Sequence, residues 1–537
     1  MNDVTTYLRL LAVAALTIGI RRAVPLPLPL LQVAAGALLA WPLGMKVELE
    51  PEVFLLVFIA PLLFVDGWRI PKRAFREMRN VIFMMAFGLV VSTVIGLGLV
   101  IRAVVPSMPP FVAFALAAAL SPTDAVAVAG ITGRVKVPSR LMHVLGGEAL
   151  LNDASGLVCL RVSIAAAATG VFSWGAAAKS LVFVSVGGVA IGIGVAWLIA
   201  RGQRLVFRRD HDSSDARMIL VLLLPYTAYL AAEHAHVSGI LAAATAGMAL
   251  PRLELIDATD RDGRRQTITV MRALEHVLNG IIFLYLGVRL PEIAEHASQV
   301  ISWQTLGQAV LAASLALFLM RWLWVWLTLR ITLFRRRKPG QAAGRISIRL
   351  VTATALAGVR GAVSLAAAVL VPAVVTADGE PYRAQQVVVS IAAGVIVVSL
   401  ISASVGLPLV LRGVDIPEPD QGREERGALR AELAEAAIAA IEQARDEKGE
   451  GAVEAAEIVL EPYRARATGE VPDDRVALER VERELRIVAL HAERALLHEK
   501  WKARAVDDVL YRQFMREIDA NEDALASRAT VFPSQHG

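Results

Sequence analysis

The chain runs to 537 residues, of which 56% are apolar and 20% charged, with a formal charge of +5. Its charges are bunched, so stretches such as 81–100, 111–123 and 306–320 carry none at all, a pattern that excludes an ordinary soluble domain. The single cysteine, Cys159, excludes an internal disulfide, and the surplus of positive charge belongs to membrane-flanking loops rather than to a nucleic-acid surface.

A helix needs about 20 mostly apolar residues to cross the hydrocarbon layer of a bilayer. Thirteen segments meet or approach that standard, near 4–20, 26–43, 52–66, 80–102, 110–130, 143–168, 176–200, 217–233, 237–250, 268–290, 304–333, 350–376 and 384–411. The ninth is short, as a tilted, broken or interfacial helix would be. Leu10–Ile20 has the length of a signal-peptide core, but Arg21 and Arg22 stand where a small-residue cleavage site belongs.

Loop charge tests the count. With the N-terminus outside, the inside connections fall near 21–25, 67–79, 131–142, 201–216, 251–267 and 334–349, and arginine and lysine concentrate there. The outside connections hold little beyond Lys46 and Arg383, with Arg102, Lys179 and Arg289 near their edges. Positive charge gathers on the cytoplasmic side, so the expected topology is N-out and C-in. From about residue 413 the composition turns to Ala, Glu and Arg, with helical periodicity in 428–444, 452–460, 475–502 and 506–525 and breaks at Pro417, Pro419, Pro462 and Pro472. The chain therefore reads as a transmembrane part, 1–412, and a soluble helical cytoplasmic tail, 413–537.

A charged side chain at mid-membrane costs about 2.5–3.5 kcal/mol on insertion scales, so ionisable residues inside such segments are functional candidates. The fifth segment contains Ser121-Pro122-Thr123-Asp124. Proline removes a backbone donor and loosens the helix where Thr123 and Asp124 sit; freed carbonyls, a hydroxyl and a carboxylate suit a small hard cation. The blander role, Asp124 capping a second half-helix, is compatible with that.

The sixth segment carries Glu148, Asn152 and Asp153. Glu148 and Asn152 share a helix face, with Asp153 on a neighbouring one. Burial penalises the charged form of an unpaired carboxylate, which allows a proton and a cation to compete for Asp153. Glu148 needs a permanent counter-charge, for which Arg321 in the eleventh segment and Arg360 in the twelfth are candidates. Gly358 and Gly361 around Arg360 suggest a second broken helix, and a pair of interrupted helices, one in each half, marks a transporter's midplane site. Asp66 ends the third segment and either closes that helix or lines a cytoplasmic funnel. The role of Arg161 is open; Arg272 and Glu275 read as an interfacial pair, Glu233, His234 and His236 as a solvated outside loop, and Trp322, Trp324 and Trp326 as packing or lipid-facing surface.

Pro61-Leu62-Leu63-Phe64-Val65-Asp66, Ser121-Pro122-Thr123-Asp124-Ala125-Val126-Ala127, Gly147-Glu148-Ala149-Leu150-Leu151-Asn152-Asp153-Ala154 and Gly358-Val359-Arg360-Gly361-Ala362 together resemble the bacterial sodium/proton exchangers of the monovalent cation/proton antiporter superfamily, first branch. The resemblance implies an all-α polytopic fold of two inverted repeats with two broken crossing helices. A core domain would move against a dimerising scaffold, as a homodimer in the bacterial inner membrane, in contact with its lipid. It implies that Asp153 binds cation and proton in turn, with Asp124 and Thr123 completing the cation site and Asp66 approaching from the opposite domain. Glu148 would pair structurally with Arg321 and hold Asn152, and Arg360 would sit at the helix crossing. Asn152 stands where electrogenic relatives carry a second aspartate, which implies one proton per cation and electroneutral exchange.

The transported ion is expected to be sodium, with potassium as the alternative and lithium undecided. No cofactor is expected, and no Gly-rich phosphate loop ending in Lys-Ser or Lys-Thr is present. Two other classes compete. A channel would show cation flux independent of an opposing proton gradient. An intramembrane aspartyl protease would use Asp124 and Asp153 but has no need of Thr123, Asn152, Glu148 and Arg321, so a non-enzyme is expected.

Overall fold

In the computed structural model the described residues are 2–20, 26–43, 50–70, 81–124, 127–128, 131, 139–169, 174–206, 214–250, 261–335, 347–371, 374–375, 381–382, 384–412, 420–448, 453–468, 473–502 and a few positions between 514 and 522. Most of the arginine-rich inside connections therefore lie outside the described residues. The chain divides into two compact units, Met1–Val414 and Asp415–Gly537.

The first unit is helical. In chain order come α1 (Asn2–Ile20), α2 (Leu28–Leu43), α3 (51–69), α4 (Val81–Val104), α5 (Pro110–Ala119), α6 (Ser139–Thr169), α7 (Trp174–Val206), α8 (Ser214–His234) and α9 (Gly239–Ala249). They are followed by α10 (Arg261–Val300), α11 (Trp303–Arg335), α12 (Ile348–Leu356), α13 (Ala362–Val369) and α14 (Ala384–Leu411). Among the described residues the only strands are the two-residue pair β1 (Val374–Val375) and β2 (Pro381–Tyr382). Among the described residues seven helices are long and apolar enough to cross a membrane, while α1, α2, α5 and α9 supply shorter apolar runs. This is a polytopic, all-α membrane protein.

Several expected boundaries shift. The tenth segment runs to Val300, through Pro291, because the residues after 290 continue the helix and Arg289 pairs with Glu292 at i,i+3. The twelfth segment ends at Val369, short of residue 376, and gives way to the β1–β2 ladder.

Small residues set the closest packing. A Cβ on Gly36 of α2 would strike the Leu284 carbonyl of α10, and one on Gly287 of α10 would strike the Val33 carbonyl of α2. Gly67 of α3 and Gly247 of α9 stand in the same reciprocal relation to Ala244 and Phe64. Lipid supplies little hydrophobic drive between helices, so close backbone approach through small residues is how membrane helices hold one another.

Among the described residues two helices carry a π turn, Leu55–Ile59 in α3 and Met84–Leu89 in α4. A π turn leaves carbonyls without their ordinary i+4 donor. In α4 side chains take that place: Ser155 Oγ donates to the Ala86 carbonyl at 2.6 Å and Trp324 Nε1 to the Met84 carbonyl at 3.1 Å. Trp322 donates to Thr352 Oγ1 at 3.1 Å and Trp326 lies 5.1 Å from the Arg330 guanidinium, so of the two readings of the tryptophan run the contacts favour packing surface.

The second unit comprises α15 (Asp420–Lys448), α16 (Val453–Thr468) and α17 (Asp473–Lys502). Pro462, expected to break a helix, lies inside α16. Proline forfeits its own N–H and crowds the carbonyl one turn back, yet the helix continues and is tied across that point by Arg464, which pairs with Glu457 at 2.8 Å and with Glu442 of α15 at 3.7 Å. Pro417, Pro419, Pro472 and most of the expected 506–525 helix lie outside the described residues.

Candidate functional site

Helix α5 stops at Ala119, and residues 121–124 run on without helical bonding. Pro122 is the local cause, since it cannot donate to the preceding turn. Ser121 Oγ compensates by donating to the Ala118 carbonyl at 2.8 Å. In the other half, α12 ends at Leu356, residues 358–361 are non-helical, and α13 starts at Ala362.

The two breaks meet. The Asp124 amide donates to the Val359 carbonyl at 2.8 Å, and Ser364 Oγ to the Pro122 carbonyl at 3.4 Å. Gly361 is needed at the contact because a Cβ there would run into the Asp124 carboxylate. Beyond the first break, Asp124 Oδ1 accepts from the Ala127 amide at 2.9 Å, a helix-capping bond.

A small cavity of about 40 Å³ opens beside this crossing, and Asp66, Thr123, Asp124 and Asp153 line it together with Ser364 and Asn279. Asp153 is 4% exposed, and its Oδ1 is buried with no hydrogen-bond partner among the described residues. Asp66, on α3, and Asp124 are half-buried. Asn152 Nδ2 donates to Thr123 Oγ1 at 2.6 Å. A hydroxyl has two lone pairs, so Thr123 keeps one for another partner. Carboxylate and hydroxyl oxygens are hard donors suited to an alkali cation and poorly suited to soft metals.

Glu148 and Arg321 are both buried, at 0% and 1% exposure, and face each other in a fork. Arg321 Nη1 donates to Glu148 Oε1 and Nη2 to Oε2, the latter at 2.8 Å, while Nε donates to the Thr354 carbonyl at 3.1 Å. Both carboxylate oxygens are thus taken by the guanidinium, and Asn152 bonds to Thr123 rather than to Glu148. Arg360 lies at the second break, 3% exposed, with Nη1 donating to the Gly358 carbonyl at 2.7 Å and its amide to Ser399 Oγ at 3.0 Å.

Other ionisable residues are placed differently from their sequence reading. Glu275 bonds to Arg69 of α3, not to Arg272, and is buried, because α3 and α10 lie side by side where the sequence shows only a local neighbour. Glu233 and His234 close α8 rather than occupying a loop. Glu233 accepts from Arg161 at 3.1 and 3.2 Å and from the Gly239 amide at 3.2 Å, which gives the open Arg161 a partner on another helix. His236 takes the turn between α8 and α9 at φ 55°. Asn279 and Ser364 were not singled out from sequence. Asn279, an amide in the apolar run of α10, carried the detectable signal, whereas a lone serine such as Ser364 carries almost none.

A helical membrane protein whose two interrupted helices cross beside a cavity lined by acids has the architecture of a secondary transporter. Comparison with known proteins agrees. The family described as sodium/hydrogen exchanger, transmembrane, matches residues 10–413, and the chain belongs to that family. It is 38% identical to the uncharacterized Na(+)/H(+) exchanger YjcE of Escherichia coli strain K12 over 97% of this chain and 98% of the other. It is 36% identical to the sodium, potassium, lithium and rubidium/H(+) antiporter of Bacillus subtilis strain 168, over 76% of this chain and 62% of the relative. Its fold is similar to that of the sodium proton antiporter MjNhaP1 from Methanocaldococcus jannaschii, with a TM-score of 0.58 at 18% identity, covering 77% of this chain and 99% of the other.

Proposed function

We propose that this exchanger moves a monovalent cation, sodium in the first instance, against protons by letting the two compete for Asp153. The observation that carries the reading is the unpartnered, buried Asp153 oxygen in a cavity shared with Asp124, Thr123 and Asp66. A desolvated carboxylate is costly to leave charged and alone, and either a proton or a cation removes that cost. If the core changes sides only when Asp153 is occupied, a gradient of one ion drives the other uphill.

Asp124 and Thr123 complete the cation's oxygen shell, and Asp66 contributes from α3. Glu148 and Arg321, already neutralised by each other, brace the helices as a structural ion pair. Asn152 adds no second titrating acid, so one proton exchanges per cation and transport is electroneutral. The protein works as a homodimer in the bacterial inner membrane, with thirteen crossings, N-terminus outside and C-terminus in the cytoplasm, and it is not an enzyme. Potassium exchange by the same mechanism is the second reading, favoured by the cation range in the name of the Bacillus subtilis relative.

The test is dequenching of a pH-sensitive dye in everted vesicles on addition of sodium, potassium or lithium, with wild type beside Asp153→Asn. Wild type should dequench with at least sodium and the variant with none. Dequenching at the wild-type rate in the variant would refute the assignment of Asp153.

A further inference from the structure

Against the second break lies a larger cavity, about 320 Å³, bounded by α11, the 357–361 break and α14. It does not include the acids of the exchange site. Leu311, Leu315 and Phe318 supply an apolar wall, and Ser314 and Ser402 supply hydroxyls. Both Arg321 and Arg360 border it. Leu311 and Leu315, at 66% and 59% exposure, stand on the outer face of α11, in line with Leu319 and Leu323, so the cavity's mouth faces the lipid side of the bundle.

The two guanidinium groups differ in what neutralises them. Arg321 spends its donors on Glu148 and on the Thr354 carbonyl. Arg360 donates from Nη1 to the Gly358 carbonyl, but its Nε is buried and has no hydrogen-bond partner among the described residues. The two arginines and Glu148 together carry a net charge of +1. A buried cation with unsatisfied donors is expensive, and a guanidinium offers the planar fork that binds carboxylate or phosphate. Ser314 Oγ, also buried and without a hydrogen-bond partner among the described residues, adds a second orphaned polar atom to the same wall.

We infer that this cavity binds an acidic amphiphile from the membrane, its carboxylate or phosphate head on Arg360 and its acyl chain along Leu311, Leu315 and Phe318. An acyl chain matches the leucine-lined mouth, and an acidic head supplies the negative charge and the acceptors that Arg360 lacks. The site is separate from the exchange cavity but touches the same 357–361 break, so its occupant would steady one of the two segments that form the crossing.

The test uses the purified full-length chain in a non-ionic detergent, with thermal unfolding followed against oleate, dioleoyl phosphatidic acid and neutral monoolein. Specific binding to the native state raises the unfolding midpoint in proportion to the logarithm of ligand concentration once the site is saturated. The expected result is a rise of about 3–6 °C with one or both acidic amphiphiles and none with monoolein; which of the two acts distinguishes a fatty acid from a phospholipid source. Ser314→Trp places a bulky ring in the cavity and obstructs it without altering either arginine, and should abolish the rise, and Arg360→Gln should abolish it by removing the cation. If Ser314→Trp fails to fold, Ser402→Leu serves in its place. An equal rise with monoolein, no rise with either acidic compound, or a full rise in the obstructed-cavity variant overturns the proposal.

Discussion

Each acid near the crossing has a distinct environment, and the environment separates the roles. Glu148 has both oxygens occupied by Arg321, whereas Asp153 keeps a buried oxygen without a partner among the described residues. A pair of this kind contributes little net stability when intact, but removing one member strands the other charge at a cost of about 3–5 kcal/mol. Glu148→Gln should therefore lower the thermal midpoint of the purified protein sharply, whereas Asp153→Asn should leave it near wild type or raise it. A stability loss in Asp153→Asn as large as that in Glu148→Gln would contradict this division. Competition also sets a pH dependence with a definite sign. If protons displace the cation at Asp153 as proposed, the apparent KM for sodium should rise as pH falls, by about tenfold per unit where the proton form dominates. Initial rates at graded sodium between pH 6 and 9 check this, and a KM independent of pH would count against it.

At the scale of the helices, the two breaks form one device. The Asp124 amide and the Val359 carbonyl join across the crossing, and Gly361 allows the approach. Gly361→Ala should push the Asp124 carboxylate out of place and slow exchange by roughly 100-fold, the cost of misplacing a working group by about 1 Å, with expression retained. Transport by this variant within a factor of three of wild type would show that the close contact is dispensable. The reciprocal glycines of α3 and α9 should behave differently: Gly247→Leu should reduce the amount of folded protein recovered from membranes.

Much of this was legible in sequence because expensive features stand out against an apolar background. The proline break at Pro122, the glycines around Arg360 and the acids at 148 and 153 were each visible as departures from helix or lipid rules. The partnerships of Glu275 and Arg161 were not, because they join helices far apart in the chain and sequence spacing reveals only neighbours on one helix. The π turns in α3 and α4 were equally hidden, since no residue type marks them.

For the molecule as a whole, the proposed electroneutral cycle makes a prediction about membrane potential. In proteoliposomes, a membrane potential set by potassium and valinomycin should leave the sodium/proton exchange rate unchanged; a clear dependence on potential would require a second titrating group and would overturn the role given to Asn152. Exchange also requires that cation and proton never occupy the site together. Proton release on cation binding, measured with the purified protein in weakly buffered solution, tests this most directly. Addition of sodium to the wild type should release about one proton per cation bound at a pH where the proton form prevails, and Asp153→Asn should release none. Sodium binding to the wild type with no proton released would contradict competition at Asp153.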